Sequence, residues 1–311
     1  MIIEQYIHAS VEHLERCEDS IVVFDGEGDY APVFAVIDGM GGHQHQGSDG
    51  KMVTGREASQ LVRTILIEDL QHLPIDAEAS PGGAIETKVI DAVQRAHHEL
   101  LQELNHSDTL PAHKRVGAVL TVVVVCENGK RLLVIQVGDT RAYLFSEDEL
   151  IQLCADEDNI EYLEQQHIIS AEDGAKIGDI LNTFDGVNEP EIEGSITING
   201  RPFELYLAWR WFLVGNSALN IPGANIVLNA VGIYPENPVP QTSRIEIAEG
   251  DILLMASDGI YKNLTDAEMM AGLKSDGDAA VLLGEAAFVR SQDQNNRRRT
   301  PDDISAIVVK F

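Results

Sequence analysis

A chain of 311 residues is long enough to bury a sizeable core without disulfide or metal staples. Lys and Arg number 22 against 51 Asp and Glu, and the formal charge of −29 repels nucleic-acid phosphates and anionic lipid while favouring basic peptides and cations. Cys17, Cys126 and Cys154 form no CxxC or CxxH pattern, the opening MIIEQYIHASVEHLE has no basic n-region, and no apolar run reaches the ~18 residues of a membrane span, so a cytoplasmic protein with reduced thiols is expected.

Residues 21–38 read as two strands around the turn DGEGD, and the second strand, rich in β-branched residues, stops at Asp38. Gly39, Gly41 and Gly42 follow, which let the backbone turn and approach a ligand closely. GREASQLVRTILIEDL then carries apolar residues at helical spacing, and a second amphipathic helix is expected over about 84–104 after the breaker SPGG. VGAVLTVVVVC and RLLVIQVGD flank the Asn-Gly hairpin signal ENGK, and RAYLF continues the meander. Polar, helical sequence returns at about 156–180. Across 187–224, ITINGRPFELYLAWRWFLVG reads as an inserted aromatic hairpin, with Trp209 and Trp211 on one face and Tyr206 and Phe212 on the other. Two uses fit such a hairpin: a docking face, or core packed on the body. SRIEI, DILLMAS and the terminal DISAIVVKF are strands, with two helices over 265–290. Strands and helices come in blocks, which predicts an α+β sandwich of antiparallel sheets flanked by helices, formed by one domain over 1–311.

Carboxylates recur where strands meet turns: Glu18 and Asp19, Asp38, Asp139, Asp258, and Asp302 with Asp303. Each alone is ordinary turn chemistry. Converged, they form a hard, oxygen-lined cation site suited to Mg²⁺ or Mn²⁺.

In order and content these segments resemble the metal-dependent serine/threonine protein phosphatases of the PPM, or protein phosphatase 2C, family, especially its bacterial branch. FAVIDGMGGH resembles the family's DGMGGH strand end, QVGDTRAYLF its VGDSRAYL, ILLMASDGIYKNLTDAEM its LLLASDGL with the following helix, TPDDISAIVVKF its DNITVVVV strand and CEDS its NEDS; QQHIISAEDGAK is similar to its G-x-I-x-x-E-E-A helix. The resemblance implies two antiparallel sheets sandwiched between antiparallel helix pairs. It also implies hydrolysis of phosphoserine and phosphothreonine in proteins by a metal-bridged water, with no phosphoenzyme. Asp38 would bridge two ions, Glu18 and the Gly39 carbonyl would complete one site, Asp258 and Asp302 the other, and Asp139 with Asp258 would hold a third, weaker ion. Asp38 and Asp258 are thereby the expected catalytic residues.

The pattern is broken in several places. Leu14 stands where the family has its phosphate-binding Arg; Arg16 is the nearest guanidinium, on the same face if the segment is a strand, and either a substitute or an ordinary solvated arginine. The run Arg297, Arg298, Arg299 before Asp302 offers a second source of phosphate contacts, or a solvated loop. Met40 replaces the His of animal members, GAV at 117–119 replaces GTT, and Asp303 replaces Asn. His43 and His45 form an HxH pair with a metal-binding or a purely solvated reading. Loss of the arginine leaves a pseudophosphatase, a binding module without turnover, as the alternative to an active enzyme.

Overall fold

Alternation within each strand sorts side chains between two cores. In the strand Val33–Gly39 (β3), Val33, Ala35 and Ile37 face one cluster while Phe34 and Val36 face another. Ala118–Cys126 (β6) is buried along its whole length because both of its faces are covered, hence its unbroken apolar sequence. The computed structural model describes residues 1–40, 44–47, 50–105, 110–157, 159–187, 192–214, 216–219, 221, 227–234 and 236–311.

Two five-stranded antiparallel sheets result. The first runs Gln241–Glu246 (β12), Arg131–Val137 (β7), β6, β3, Ser20–Phe24 (β2). The second runs Ile2–His8 (β1), Ile304–Lys310 (β14), Ile252–Ala256 (β13), Arg141–Ser146 (β8), Glu149–Gln152 (β9). Phe34, Val36, Val123 and Val134 meet Leu144, Met255, Ile307 and Val309 between the sheets. Helices Gly55–Leu70 (α1) and Ala84–Glu99 (α2), the latter continued by a wider turn at Leu100–Leu104, cover the outer face of the first sheet. Asp258–Tyr261 (α6), Asp266–Leu273 (α7) and Ala279–Gln292 (α8) cover the second. The order is helix, sheet, sheet, helix, as expected for an α+β sandwich. Thr54 with Glu57 and Thr265 with Glu268 form capping boxes that start α1 and α7 at fixed residues.

Beside this sandwich, Asn159–Gln165 (α3), Ala171–Thr183 (α4), a hairpin of Ser195–Ile198 (β10) and Arg201–Glu204 (β11), and Leu205–Val214 (α5) share their own cluster around Leu163, Ile177, Ile198 and Phe212. Here one expectation is corrected. Only the first half of the aromatic segment is hairpin; LYLAWRWFLV is a helix, with Leu205, Ala208, Trp209 and Phe212 turned inward at i, i+3, i+4 and i+7. The two tryptophans therefore do not share a face: Trp209 is 1% exposed and stands edge-on to Phe184, whereas Trp211 is half-buried against Phe203. The core use of these aromatics holds for Trp209 and Phe212. β1 and β9 were not legible as strands. A further short ribbon pairs His45–Gln46 (β4) with Met52–Val53 (β5).

Candidate active site

The carboxylates gather where the two sheets meet. β3 delivers Asp38 one residue before its end, paired across from Val119, and β2 begins one residue after Asp19. From the second sheet, Asp139 precedes β8, Asp258 follows β13 and opens α6, and Asp302 precedes β14. Close backbone approach holds the frame. A Cβ on Gly39 would strike the Gly55 carbonyl oxygen and lie 2.5 Å from that of Glu18, and one on Gly259 would strike the Asp303 carbonyl oxygen, so both positions require glycine. The Gly39 N–H donates to the Glu18 carbonyl at 3.2 Å.

Burial, followed by the charges of Asp19, Asp258, Asp302 and Asp139, raises the Asp38 pKa well above the ordinary carboxylate range. Burial and Asp303 push Asp19 up to about 8, against opposing hydrogen bonds from Ser305 and Ser257; burial with Asp258 and Asp19 pushes Asp302 to about 8. Asp139 is raised by burial and partly relieved by Lys262. Asp19 Oδ1 and Asp258 Oδ1 are buried with no hydrogen-bond partner. Mutually repelling, all-oxygen groups with orphaned buried atoms are what a hard divalent cation satisfies. They are not drawn into a closed cage: among the described residues no three His, Cys, Asp or Glu side chains are arranged to hold an ion. Like charges spread, and Asp258 Oδ2 turns instead to the Lys262 ammonium at 2.7 Å.

Four of the expected ligands, Asp38, Asp139, Asp258 and Asp302, share this cluster. Glu18 is buried but faces Arg16, 3.1 Å away, along with His13, Thr54 and Asp303; burial raises its pKa and Arg16 opposes the rise. Asp19, absent from the expected ligand set although noted at the same corner, lies nearer the centre, its Oδ2 accepting from Ser305 Oγ at 2.6 Å. Asp303 explains this parity. Its oxygens accept the Ser10 and Glu18 N–H groups at 2.6 Å each, so it pins the 10–18 loop.

That loop is not a strand, which corrects the alternation used to place Arg16. A turn closed by Arg16 N–H donating to the His13 carbonyl at 2.8 Å carries Arg16 to Glu18 at the rim, while Leu14 is 59% exposed. Arg298 is no phosphate ligand. It is 8% exposed and spends its guanidinium on the carbonyls of Leu181, Phe184 (3.1 Å), Tyr261 (2.6 Å) and Leu264 (2.5 Å), tying α4 to the end of α6. Arg297 lies over the Phe184 ring and Arg299 reaches Glu12 at 4.0 Å. His45 presents both ring nitrogens to carbonyl oxygens, Leu104 at 2.8 Å and Lys114 at 3.1 Å, a packing role; Gly41, Gly42 and His43 lie outside the described residues. Val119 of the GAV stretch packs with Ala230 and Ile233, and Met40 lies against them.

Lys262 was not foreseen. It follows α6 directly, one turn beyond Asp258, with its ammonium 3.6 Å from Asp139 Oδ2 as well. Burial alone would lower its pKa, but Asp258 and Asp139 hold it above the usual lysine range. Behind it, Tyr261 Oη donates to the Asp139 carbonyl at 2.8 Å and to Oδ2 at 3.2 Å, and the Arg141 guanidinium, paired with Asp156, lies 3.7 Å over the Tyr261 ring.

Known proteins share this arrangement of elements. The chain is 24% identical over 303 residues to the serine/threonine protein phosphatase PstP of Mycobacterium tuberculosis, covering 96% of this chain and 53% of that protein, so it spans about half the length of that relative. It is 24% identical over 258 residues to the serine/threonine phosphatase stp of Listeria innocua, covering 83% of this chain and 77% of the relative. The solved serine/threonine phosphatase of S. agalactiae superposes with a TM-score of 0.67 at 18% identity over 100% of this chain and 99% of that one. The PstP catalytic domain, solved in complex with two manganese ions, gives 0.59 at 20% identity over 99% and 96%. A family model described as protein phosphatase 2C matches residues 10–292, from the loop that Asp303 pins to the end of α8, and by that match the chain belongs to the protein phosphatase 2C family.

Proposed function

We propose that this protein is a Mn²⁺- or Mg²⁺-dependent phosphatase acting on phosphoserine and phosphothreonine in proteins, with residues 1–311 working as one catalytic domain. One observation carries the proposal: Asp19, Asp38, Asp139, Asp258 and Asp302 come from strand ends of both sheets, and beyond the single ammonium of Lys262 beside Asp139 and Asp258 the cluster keeps Asp19 Oδ1 and Asp258 Oδ1 buried without a hydrogen-bond partner. Packing of α3, α4, the β10–β11 hairpin and α5 around one cluster supports treating 187–224 as an elaboration of that domain. No helix among the described residues is long and apolar enough to cross a membrane, and Cys17, Cys126 and Cys154 are free, which supports a cytoplasmic site of action.

Asp38, Asp258 and Asp302 would hold two ions, with the Gly39 carbonyl and Glu18 or Asp19 completing the set. Such ions, when bound, supply Lewis acidity toward phosphoryl oxygens and lower the pKa of water, the two requirements of in-line displacement at phosphorus. The chain's own part is placement. β3 holds Asp38 rigidly at a strand end, and Asp303 fixes the backbone of Glu18. Arg16 stands at the rim with a planar donor pair that complements a phosphomonoester. Met40 offers no proton in place of the histidine.

Asp38→Ala and Asp258→Ala are expected to abolish both Mn²⁺ binding in titration calorimetry and hydrolysis of p-nitrophenyl phosphate and a phosphothreonine peptide. Unchanged Mn²⁺ stoichiometry in either variant removes the metal assignment. A wild-type protein that binds Mn²⁺ yet turns over neither substrate is the binding module instead.

A further inference from the structure

We propose that Lys262 is a built-in cation that occupies the place of a third metal ion between Asp139 and Asp258, making this a two-ion centre by construction. The inference rests on the metal-dependent reading above and concerns how many ions that centre takes. Its Nζ lies 2.7 Å from Asp258 Oδ2 and 3.6 Å from Asp139 Oδ2, so one ammonium bridges two carboxylates that arrive from different strands.

Position along the chain makes the bridge stiff. Lys262 is four residues beyond Asp258, and its backbone N–H donates to the Asp258 carbonyl at 2.9 Å, which sets the side chain on the same face of the turn as the carboxylate. Asp139 is only 7% exposed, and its Oδ2 already accepts from Tyr261 Oη at 3.2 Å. The Asp139 oxygen facing Asp258 is therefore supplied by a phenol and an ammonium. A dication placed there would have to displace the ammonium or sit against a like charge. Asp258 Oδ1, by contrast, remains buried and without a hydrogen-bond partner, so the same carboxylate keeps a free oxygen for the Asp38–Asp302 side. Lysine cannot leave with product or exchange with solvent. The positive charge at this corner is thus present at any metal concentration.

The test counts ions on chelator-stripped protein of residues 1–311, by titration calorimetry and by the electron paramagnetic resonance signal of free Mn²⁺. The wild type should saturate at two ions. Lys262→Met and Lys262→Gln should each take a third, weaker ion with a dissociation constant at least tenfold above that of the first two. Removing the internal cation should also lower the melting temperature in chelator, by several degrees, and enlarge the rise that millimolar Mn²⁺ produces. Three ions on the wild type, or two on a folded variant, overturn the inference; wild-type stoichiometry decides even where a variant fails to fold. Wild-type protein that binds no ion overturns instead the metal-dependent reading beneath it.

Discussion

Asp19 and Asp302, held up to about 8, keep protons that carboxylates in an unfolded chain release near pH 4. Between those limits the native state binds more protons than the unfolded one, so the stability these groups lend is complete below about pH 4 and is lost as pH rises toward 8. His97 works in the opposite sense. It is fully buried, its Nδ1 accepts the Gly232 N–H at 3.1 Å, and burial pushes it down to about 4, so its contribution is complete above about pH 6.5 and lost as pH falls. Two carboxylates outweigh one histidine between pH 4 and 6.5, so metal-free protein should melt highest near the acid end, at about pH 4–5, and lose on the order of several kcal/mol by pH 8. Mn²⁺ should lift the alkaline limb alone, since only the carboxylate cluster binds it. Melting curves from pH 4.5 to 8.5, with chelator and with Mn²⁺, check this; a chelated profile flat above pH 6 would show that burial and mutual repulsion do not raise these carboxylates.

At the level of elements, α5 illustrates both what the sequence discloses and what it hides. Periodicity located α1 at its observed ends, and β3, β6, β7, β8, β13 and β14 stood out because strands covered on both faces are continuously apolar. In α5 the preceding Asn-Gly turn and the aromatic residues, both strand signals, outweighed a pattern whose spacing of 205, 208, 209 and 212 is helical. β1 escaped notice because an edge strand that leaves Ile2 and Ile7 exposed has no clean alternation. In the site, Asp38, Asp139, Asp258 and Asp302 were legible as carboxylates at strand ends. Which of Glu18 and Asp19 faces inward was not, since it depends on Asp303 gripping a loop from 285 residues away. Lys262 was equally hidden, because its partner Asp139 lies in a different part of the chain. The helical α5 makes a prediction of its own. Phe212→Ala should cost about 3–5 kcal/mol by urea unfolding, and Trp211→Ala clearly less, because only the first empties a fully buried site. Equal costs would mean that α5 does not pack on its 205–208–209–212 face.

The molecule as a whole carries −29 while its proposed substrate carries a dianionic phosphate, so attraction must come from the substrate's surroundings as well as from the site. Phosphopeptides flanked by Lys or Arg should show KM values about tenfold below those flanked by Asp or Glu at low salt, the gap narrowing to roughly twofold near 0.5 M as screening shortens the reach of the field. Steady-state kinetics over a salt series measures it, and a gap indifferent to salt would point to local contacts such as Arg16.

β14 lies between β1 and β13, pairing Ile2 with Lys310, and Asp302 stands two residues before it. During synthesis this has a cost in time. A nascent chain ending before Asp302 already exposes Asp19, Asp38, Asp139 and Asp258, yet it has no neighbour for β1 and an open edge on β13, so the second sheet cannot close. Folding of that sheet must wait for β14 to leave the ribosome, and its long-range pairings make the step slow. Premature termination anywhere upstream leaves a chain that can neither complete its acidic centre nor shield that edge. Such fragments are expected to be protease-sensitive and to lack turnover altogether.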